Sequence, residues 1–128
     1  PLLIYQGRLN LINRKPIETG ILPFCKDKGI GFIAFSPLAQ GLLTDRYLEG
    51  IPADSRMARG HFLTKDRLTP ELMEYVLALK SDASKNKQTT SEAALRWVLA
   101  QEGVTSVLIG ASSVNQLEQN LKCIDTNK

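Results

Sequence analysis

Gly29-Ile30-Gly31-Phe32-Ile33-Ala34-Phe35-Ser36-Pro37-Leu38-Ala39-Gln40-Gly41-Leu42-Leu43-Thr44 is the stretch whose reading decides the fold. Gly29 to Phe35 is apolar nearly throughout, which suits a strand covered on both faces in a parallel sheet. A Ser-Pro turn then ends the run. Outward from it, Leu2 to Tyr5 and Thr105 to Ile109 are apolar runs of the same kind. Helical patterns lie between them. From Thr19 to Lys28, Ile21, Leu22, Phe24 and Cys25 share one side, Pro23 fits only a first turn, and Gly29 supplies a stop. Thr69-Pro70 is a helix start, with Leu72, Val76, Leu79 and Ala83 recurring behind it. Thr89-Thr90-Ser91-Glu92 has the spacing of a capping box before Ala93, Leu95, Trp97, Val98 and Leu99. A last amphipathic helix begins near Ser113 with Val114, Leu117, Leu121 and Ile124. The order is β-α-β, a long connection from Ser36 to Thr69, then α-α-β-α. Crossovers of that length mean an α/β fold with parallel strands. Three such strands leave open edges, so more chain or self-association is expected to cover them.

In α/β proteins ligands sit where strands end. At the first such junction, Phe35 could stack on a flat ring, and the hydroxyl and backbone N–H groups after it could hold phosphate oxygens. The same residues also suit a capped strand with Phe35 in the core. At the second, Gly110-Ala111-Ser112-Ser113 leads into a helix, an arrangement open to an anion. It suits plain N-capping equally well, with Gln116, Gln119 and Asn120 as a solvated polar face. Arg46 and Arg56 in the long connection read either as solvated surface charges or as a basic lid over a phosphate-bearing ligand.

The 128 residues fit one small domain, and 43% hydrophobic with 23% charged residues is an ordinary globular composition. The net charge of +3 comes from scattered Lys and Arg, so nothing singles out nucleic acid. Cys25 and Cys123 form no CxxC pair and His61 stands alone, so no metal site is expected and both thiols read as reduced. No apolar run approaches a membrane span and no signal peptide is visible, so the chain reads as cytoplasmic. It begins at Pro1 in an apolar run and stops just after a helical pattern, which reads as a piece of something longer.

The stretch from Gly29 to Thr44 resembles the seventh-strand region of aldo-keto reductases. It is most similar to the branch holding the voltage-gated potassium channel β subunits and the L-glyceraldehyde 3-phosphate reductases. The resemblance continues in Gly50-Ile51-Pro52-Ala53-Asp54-Ser55-Arg56-Met57, in Val104 to Ser112, and in Asn115-Gln116-Leu117-Glu118-Gln119-Asn120. Gln6 with Leu11-Ile12-Asn13-Arg14 fits the sixth strand. It covers nearly the whole chain.

The resemblance implies the C-terminal portion of a (β/α)8 barrel, about strands six to eight with their helices, as one cofactor-binding unit over 1–128. It implies NADP(H) at the C-terminal strand ends and a small aldehyde or ketone as substrate of the intact protein, phosphorylated ones among the candidates. Gln6 matches the glutamine on the nicotinamide carboxamide, and Phe35 the aromatic residue stacked on the nicotinamide. Ser36, Pro37, Leu38, Gln40 and Gly41 match the pyrophosphate loop. Arg46 stands where lysine is usual, and Arg56 matches the basic lid. Gly110, Ser112 and Gln116 match positions around the 2′-phosphate, and Gln119 and Asn120 the pair on the adenine edge, where glutamate is usual in place of Gln119. Two further departures are Gly7-Arg8-Leu9-Asn10 for Pro-x-Tyr-Asn, and Asp45 for glycine. The family's Asp, Tyr, Lys and His tetrad belongs to the first half of the barrel, so no catalytic residue is expected in this chain. The implied partner is the missing barrel half or a second copy. A non-catalytic nicotinamide-binding or channel β-subunit-like module, and an inactive remnant, are the alternatives.

Overall fold

The computed structural model describes residues 2–48 and 65–124. Three parallel strands, β1 (Ile4–Arg8), β2 (Gly31–Phe35) and β3 (Val104–Val107), form one sheet in the order β1-β2-β3. Helices supply the crossovers that parallel pairing requires. Between β1 and β2 run α1 (Lys15–Glu18) and α2 (Ile21–Asp27). Between β2 and β3 run α3 (Pro70–Lys85) and α4 (Thr90–Leu99), and α5 (Val114–Leu121) follows β3. The expected α/β order is present, with α1 and short 3-10 turns at Ala39–Gly41, Asp45–Tyr47 and Lys65–Arg67 added to it.

The helix ends follow their local chemistry. Gly29 adopts φ +71°, its N–H donates to Lys26 O, and the Ile30 N–H donates to Cys25 O at 2.8 Å. That double closure with a left-handed residue is a Schellman stop for α2. Thr69 Oγ1 accepts from the Leu72 N–H at 3.1 Å, and Thr89 Oγ1 from the Glu92 N–H at 3.0 Å. Ser113 Oγ accepts from the Gln116 N–H at 3.1 Å. Three of the expected helix starts therefore sit on hydroxyl caps.

The first strand lies later than its apolar run suggests. Leu2 and Leu3 precede it and are exposed, whereas the polar Gln6 and Arg8 are inside it. Register decides this, since Ile4 pairs with Gly31 and Arg8 with Phe35. The expectation that β2 and β3 are covered on both faces does not hold among the described residues. Phe32 and Ala34 are fully buried on the helix side, but Gly31, Ile33 and Phe35 are only half-buried, and Thr105 and Ser106 of β3 are exposed. The helices of this chain cover one face of the sheet.

Gly7 shows why the chain departs from proline at that place. A Cβ added there would sit 2.8 Å from Phe32 Cζ and 3.0 Å from a Tyr5 ring carbon. The two rings pack with centroids 5.7 Å apart and leave no room for a side chain. Gly7→Ala should therefore cost about 2 kcal/mol through overpacking, read as a lower urea midpoint at unchanged slope. An unchanged midpoint would mean that the rings move aside freely.

Two apolar clusters hold the chain together. Leu9, Leu22, Cys25, Phe32, Ala34 and Val98 fill the space between sheet and helices. Leu11, Ala39, Leu42, Leu43, Tyr47 and Ala94 form the second, against which Leu72 and Leu79 of α3 pack. Trp97 touches both clusters. The second cluster fastens the start of the long connection to the helices, so that segment is anchored by its own apolar side chains. Asp45, the other departure, sits in a 3-10 turn there and pairs with Lys80 of α3 at 3.8 Å.

Candidate functional site

The C-terminal ends of the strands meet in two neighbouring loops. The Leu108 N–H donates to Ala34 O at 2.8 Å, so the loop after β3 leaves beside the loop after β2. The loop after β2 carries unusual backbone geometry. Ser36, Ala39 and Gln40 have φ of 53°, 51° and 60°, a left-handed region that L side chains rarely adopt, and Gly41 follows at 94°. Each such non-glycine residue costs on the order of 1 kcal/mol and persists only where surrounding structure over-determines it. Here Ala39, Leu42 and Leu43 are gripped by the second cluster. Ala39, Gly41 and Leu43 donate their N–H groups to Ser36 O and Leu38 O within the loop.

Asn10 fixes the loop from below. It is 2% exposed. Its Nδ2 donates to Ser36 O at 2.9 Å, while its Oδ1 accepts from the N–H groups of Ile12 and Asn13 at 3.0 and 2.8 Å. One side-chain amide thus ties the loop after β1 to the loop after β2. Gln6 is exposed on β1 and pairs in register with Ile33, which places it diagonally across from Phe35 on the face that helices leave uncovered. Beside Phe35 stands Arg8, its guanidinium carbon 5.3 Å from the ring centroid. Arg46 is half-buried, and its Cδ would lie 3.9 Å from a Cβ at Gly41. Among the described residues, two buried side-chain atoms in this region have no hydrogen-bond partner, Gln40 Oε1 and Tyr47 Oη. Native structures seldom leave such atoms unmatched.

The second loop builds a polar pair. Ser112 donates from its N–H and its Oγ to Gln116 Oε1, at 2.8 and 2.9 Å. Farther along α5, Asn120 is buried and Gln119 is half-buried, accepting from Lys122 Nζ at 3.3 Å. The apolar stripe of α5 faces out instead, with Val114 72% exposed and Leu117 and Leu121 also exposed, as is Ile124 in the 3-10 turn Lys122–Ile124 that follows. In an amphipathic helix of a globular domain the apolar stripe commonly faces the core. Here it is turned away from the described sheet and helices.

The structure thus groups Gln6, Phe35, Ser36, Pro37, Leu38, Gln40, Gly41 and Arg46 about the end of β2, and Gly110, Ser112, Gln116, Gln119 and Asn120 after β3. Arg56 and His61 lie outside the described residues. The sequence names Asn10 only as the end of the Gly7-Arg8-Leu9-Asn10 match and assigns no role to it or to Tyr47. Two signals for Asn10 were available, a lone amide between Leu9 and Leu11 and its agreement with the asparagine of Pro-x-Tyr-Asn.

Comparison with known proteins fits this arrangement. A model of the aldo/keto reductase family matches residues 1–128. The chain is 45% identical over 129 residues to the L-glyceraldehyde 3-phosphate reductase of Escherichia coli strain K12, covering 98% of this chain and 37% of that protein. It is 34% identical over 126 residues to a probable voltage-gated potassium channel subunit beta of Arabidopsis thaliana, covering 96% and 38% respectively. Among solved structures, an aldo-keto reductase from Bacillus halodurans in its holo form superposes with a TM-score of 0.69 at 24% identity, covering 97% of this chain and 37% of that one. The chain therefore spans somewhat over a third of the length of these relatives. Among the described residues no helix is long and apolar enough to cross a membrane. With the family model matched from end to end and the strand-end loops built as above, the chain belongs to the aldo/keto reductase family.

Proposed function

We propose that this chain is the NADP(H)-binding portion, about strands six to eight, of an aldo-keto reductase barrel that reduces small aldehydes or ketones. The carrying observation is the strained loop that follows Phe35, held in place by the second apolar cluster and by Asn10. The residues fit the group. Phe35 ends its strand with a half-buried ring, Tyr47 Oη lacks a partner among the described residues, and Ser112 and Gln116 already converge. In this reading Phe35 stacks on the nicotinamide through the ring face opposite Arg8, and Gln6 bonds the carboxamide. Ser36 and Arg46 meet the pyrophosphate. Ser112 and Gln116 meet the 2′-phosphate, with Gln119 and Asn120 at the adenine, where an amide both donates and accepts. Once bound, the cofactor supplies hydride to a carbonyl carbon. This chain contributes binding and orientation, and the proton donor comes from the rest of the barrel. The exposed apolar residues of α5 and of the segment before β1 are where that remaining portion, or a second copy, would pack.

NADPH titration of the wild-type chain and of Phe35→Ala tests the reading. Saturable binding that weakens roughly tenfold in the variant, the worth of one good ring contact at about 1.4 kcal/mol, is the expected result. Equal affinity in both proteins would remove Phe35 from the site. No binding to a folded chain would favour the inactive remnant.

A further inference from the structure

Arg8 is a charge that the proposed cofactor strip does not use. Its guanidinium carbon lies over the Phe35 ring, 5.3 Å from the centroid. Register puts it there, since Arg8 and Phe35 are paired at the ends of β1 and β2 and so share one face of the sheet, the face that helices leave uncovered. Arg8 alone of the described cations lies over this ring. No carboxylate among the described residues pairs with it. Arg14, Lys15 and Arg67 line one cleft with Arg8, where Glu18 is the one carboxylate among the described lining residues. The surroundings therefore reinforce the positive charge of Arg8 more than they offset it.

The two redox forms of the cofactor differ in charge at the ring that Phe35 is proposed to carry. The oxidised nicotinamide is a cation and the reduced one is neutral. A cation over one face of an aromatic ring draws on the same quadrupole that a cationic ring on the other face would use. Direct repulsion has the same sign. Stacked rings have centroids about 4.5 Å or more apart, so Arg8 and an oxidised nicotinamide across Phe35 would face each other at about 10 Å, about one Debye length at 0.1 M salt. At the high effective dielectric of an exposed side chain, repulsion over that distance is worth about two- to fivefold in affinity. We propose that Arg8, acting through Phe35, is a specificity-determining residue that makes the site prefer the reduced cofactor over the oxidised one. This role rests on the reductase reading and adds to it a bias toward release of the oxidised product.

Calorimetric titration of the full chain with NADPH and with NADP+ tests this. Wild type should bind NADPH tighter. Arg8→Gln should shrink the ratio of the two dissociation constants about two- to fivefold, chiefly because NADP+ gains affinity. Arg8→Lys keeps the charge and should retain most of the wild-type ratio. Lys15→Gln removes a charge that lines the cleft and does not lie over the ring, so the ratio should stay as it is. Raising salt from about 0.05 to 0.5 M should narrow the wild-type ratio more than the Arg8→Gln ratio. A purely structural role for Arg8, or a contact with the cofactor's phosphates, would move both affinities together and leave their ratio alone. A ratio unchanged in Arg8→Gln, or shrunk equally in Lys15→Gln, overturns the role of Arg8 while the Phe35 reading stands. Failure of both nucleotides to bind the folded wild-type chain overturns the two together.

Discussion

Asn10→Ala should lower the stability of the chain by about 3 kcal/mol and weaken NADPH binding more than tenfold, although Asn10 itself is not placed against the cofactor. The side chain is buried and its amide makes three bonds. Their loss is unequal. Ser36 O keeps the Ala39 N–H at 3.1 Å, and the Asn13 N–H keeps Asn10 O at 3.2 Å. The Ile12 N–H has no such second partner among these bonds, but Ile12 is exposed, so losing its bond costs about 1 kcal/mol rather than the full penalty of a buried group. The cavity adds to that. The functional effect follows from Ser36, whose φ of 53° is held partly by the bond to Asn10. Freed of it, the loop can relax toward ordinary backbone angles and away from the shape proposed to hold the pyrophosphate. Urea melts and NADPH titrations on the same samples check both halves. A midpoint within about 0.5 kcal/mol of wild type would show that the amide is a passenger.

The same residue shows what the sequence made legible. The strand-loop-helix alternation, the hydroxyl caps at Thr69, Thr89 and Ser113 and the Gly29 stop could be read directly, because each depends on neighbours within a few positions. The loops at Phe35 and Ser112 could be read as candidate sites for the same reason. What depended on partners far along the chain was out of reach. The start of β1 is set by pairing with β2, so an apolar run at Leu2 and Leu3 misplaced it. The burial of Asn10 depends on Ser36, which lies 26 positions away. The cleft that joins Arg8 to Arg67 exists only after folding. The outward apolar stripe of α5 was legible as amphipathic, yet its direction was not, since the pattern says which residues share a face and nothing about what covers it.

Arg96→Met should cost about 3 kcal/mol and loosen the end of the chain that carries the proposed adenine contacts. Glu92 is 1% exposed and accepts from Arg96 Nε at 3.2 Å. From the same guanidinium, Nη2 donates to Lys122 O at 3.0 Å, joining α4 to the turn after α5. Methionine keeps much of the stem and removes the charge, so the loss reports on the ion pair and the carbonyl bond more than on packing. A buried pair is costly to break yet often neutral to replace whole, because most of the penalty is a carboxylate left without its counter-charge. Glu92→Met with Arg96→Met should therefore recover much of the stability lost in the single variant. The bond to Lys122 O is absent from both variants, so NADPH affinity should stay low in the double variant even as stability returns. Cys123 gives the direction of the local change. Burial pushes its thiol above the ordinary range, and the charge of Arg96 pulls it down. Electrostatics alone would therefore make alkylation of Cys123 slower in Arg96→Met, since less thiolate would be present. Faster alkylation means that the turn has opened. A slower rate together with unchanged NADPH affinity would confine the role of Arg96 to the charge of Glu92 and leave α5 held by other contacts.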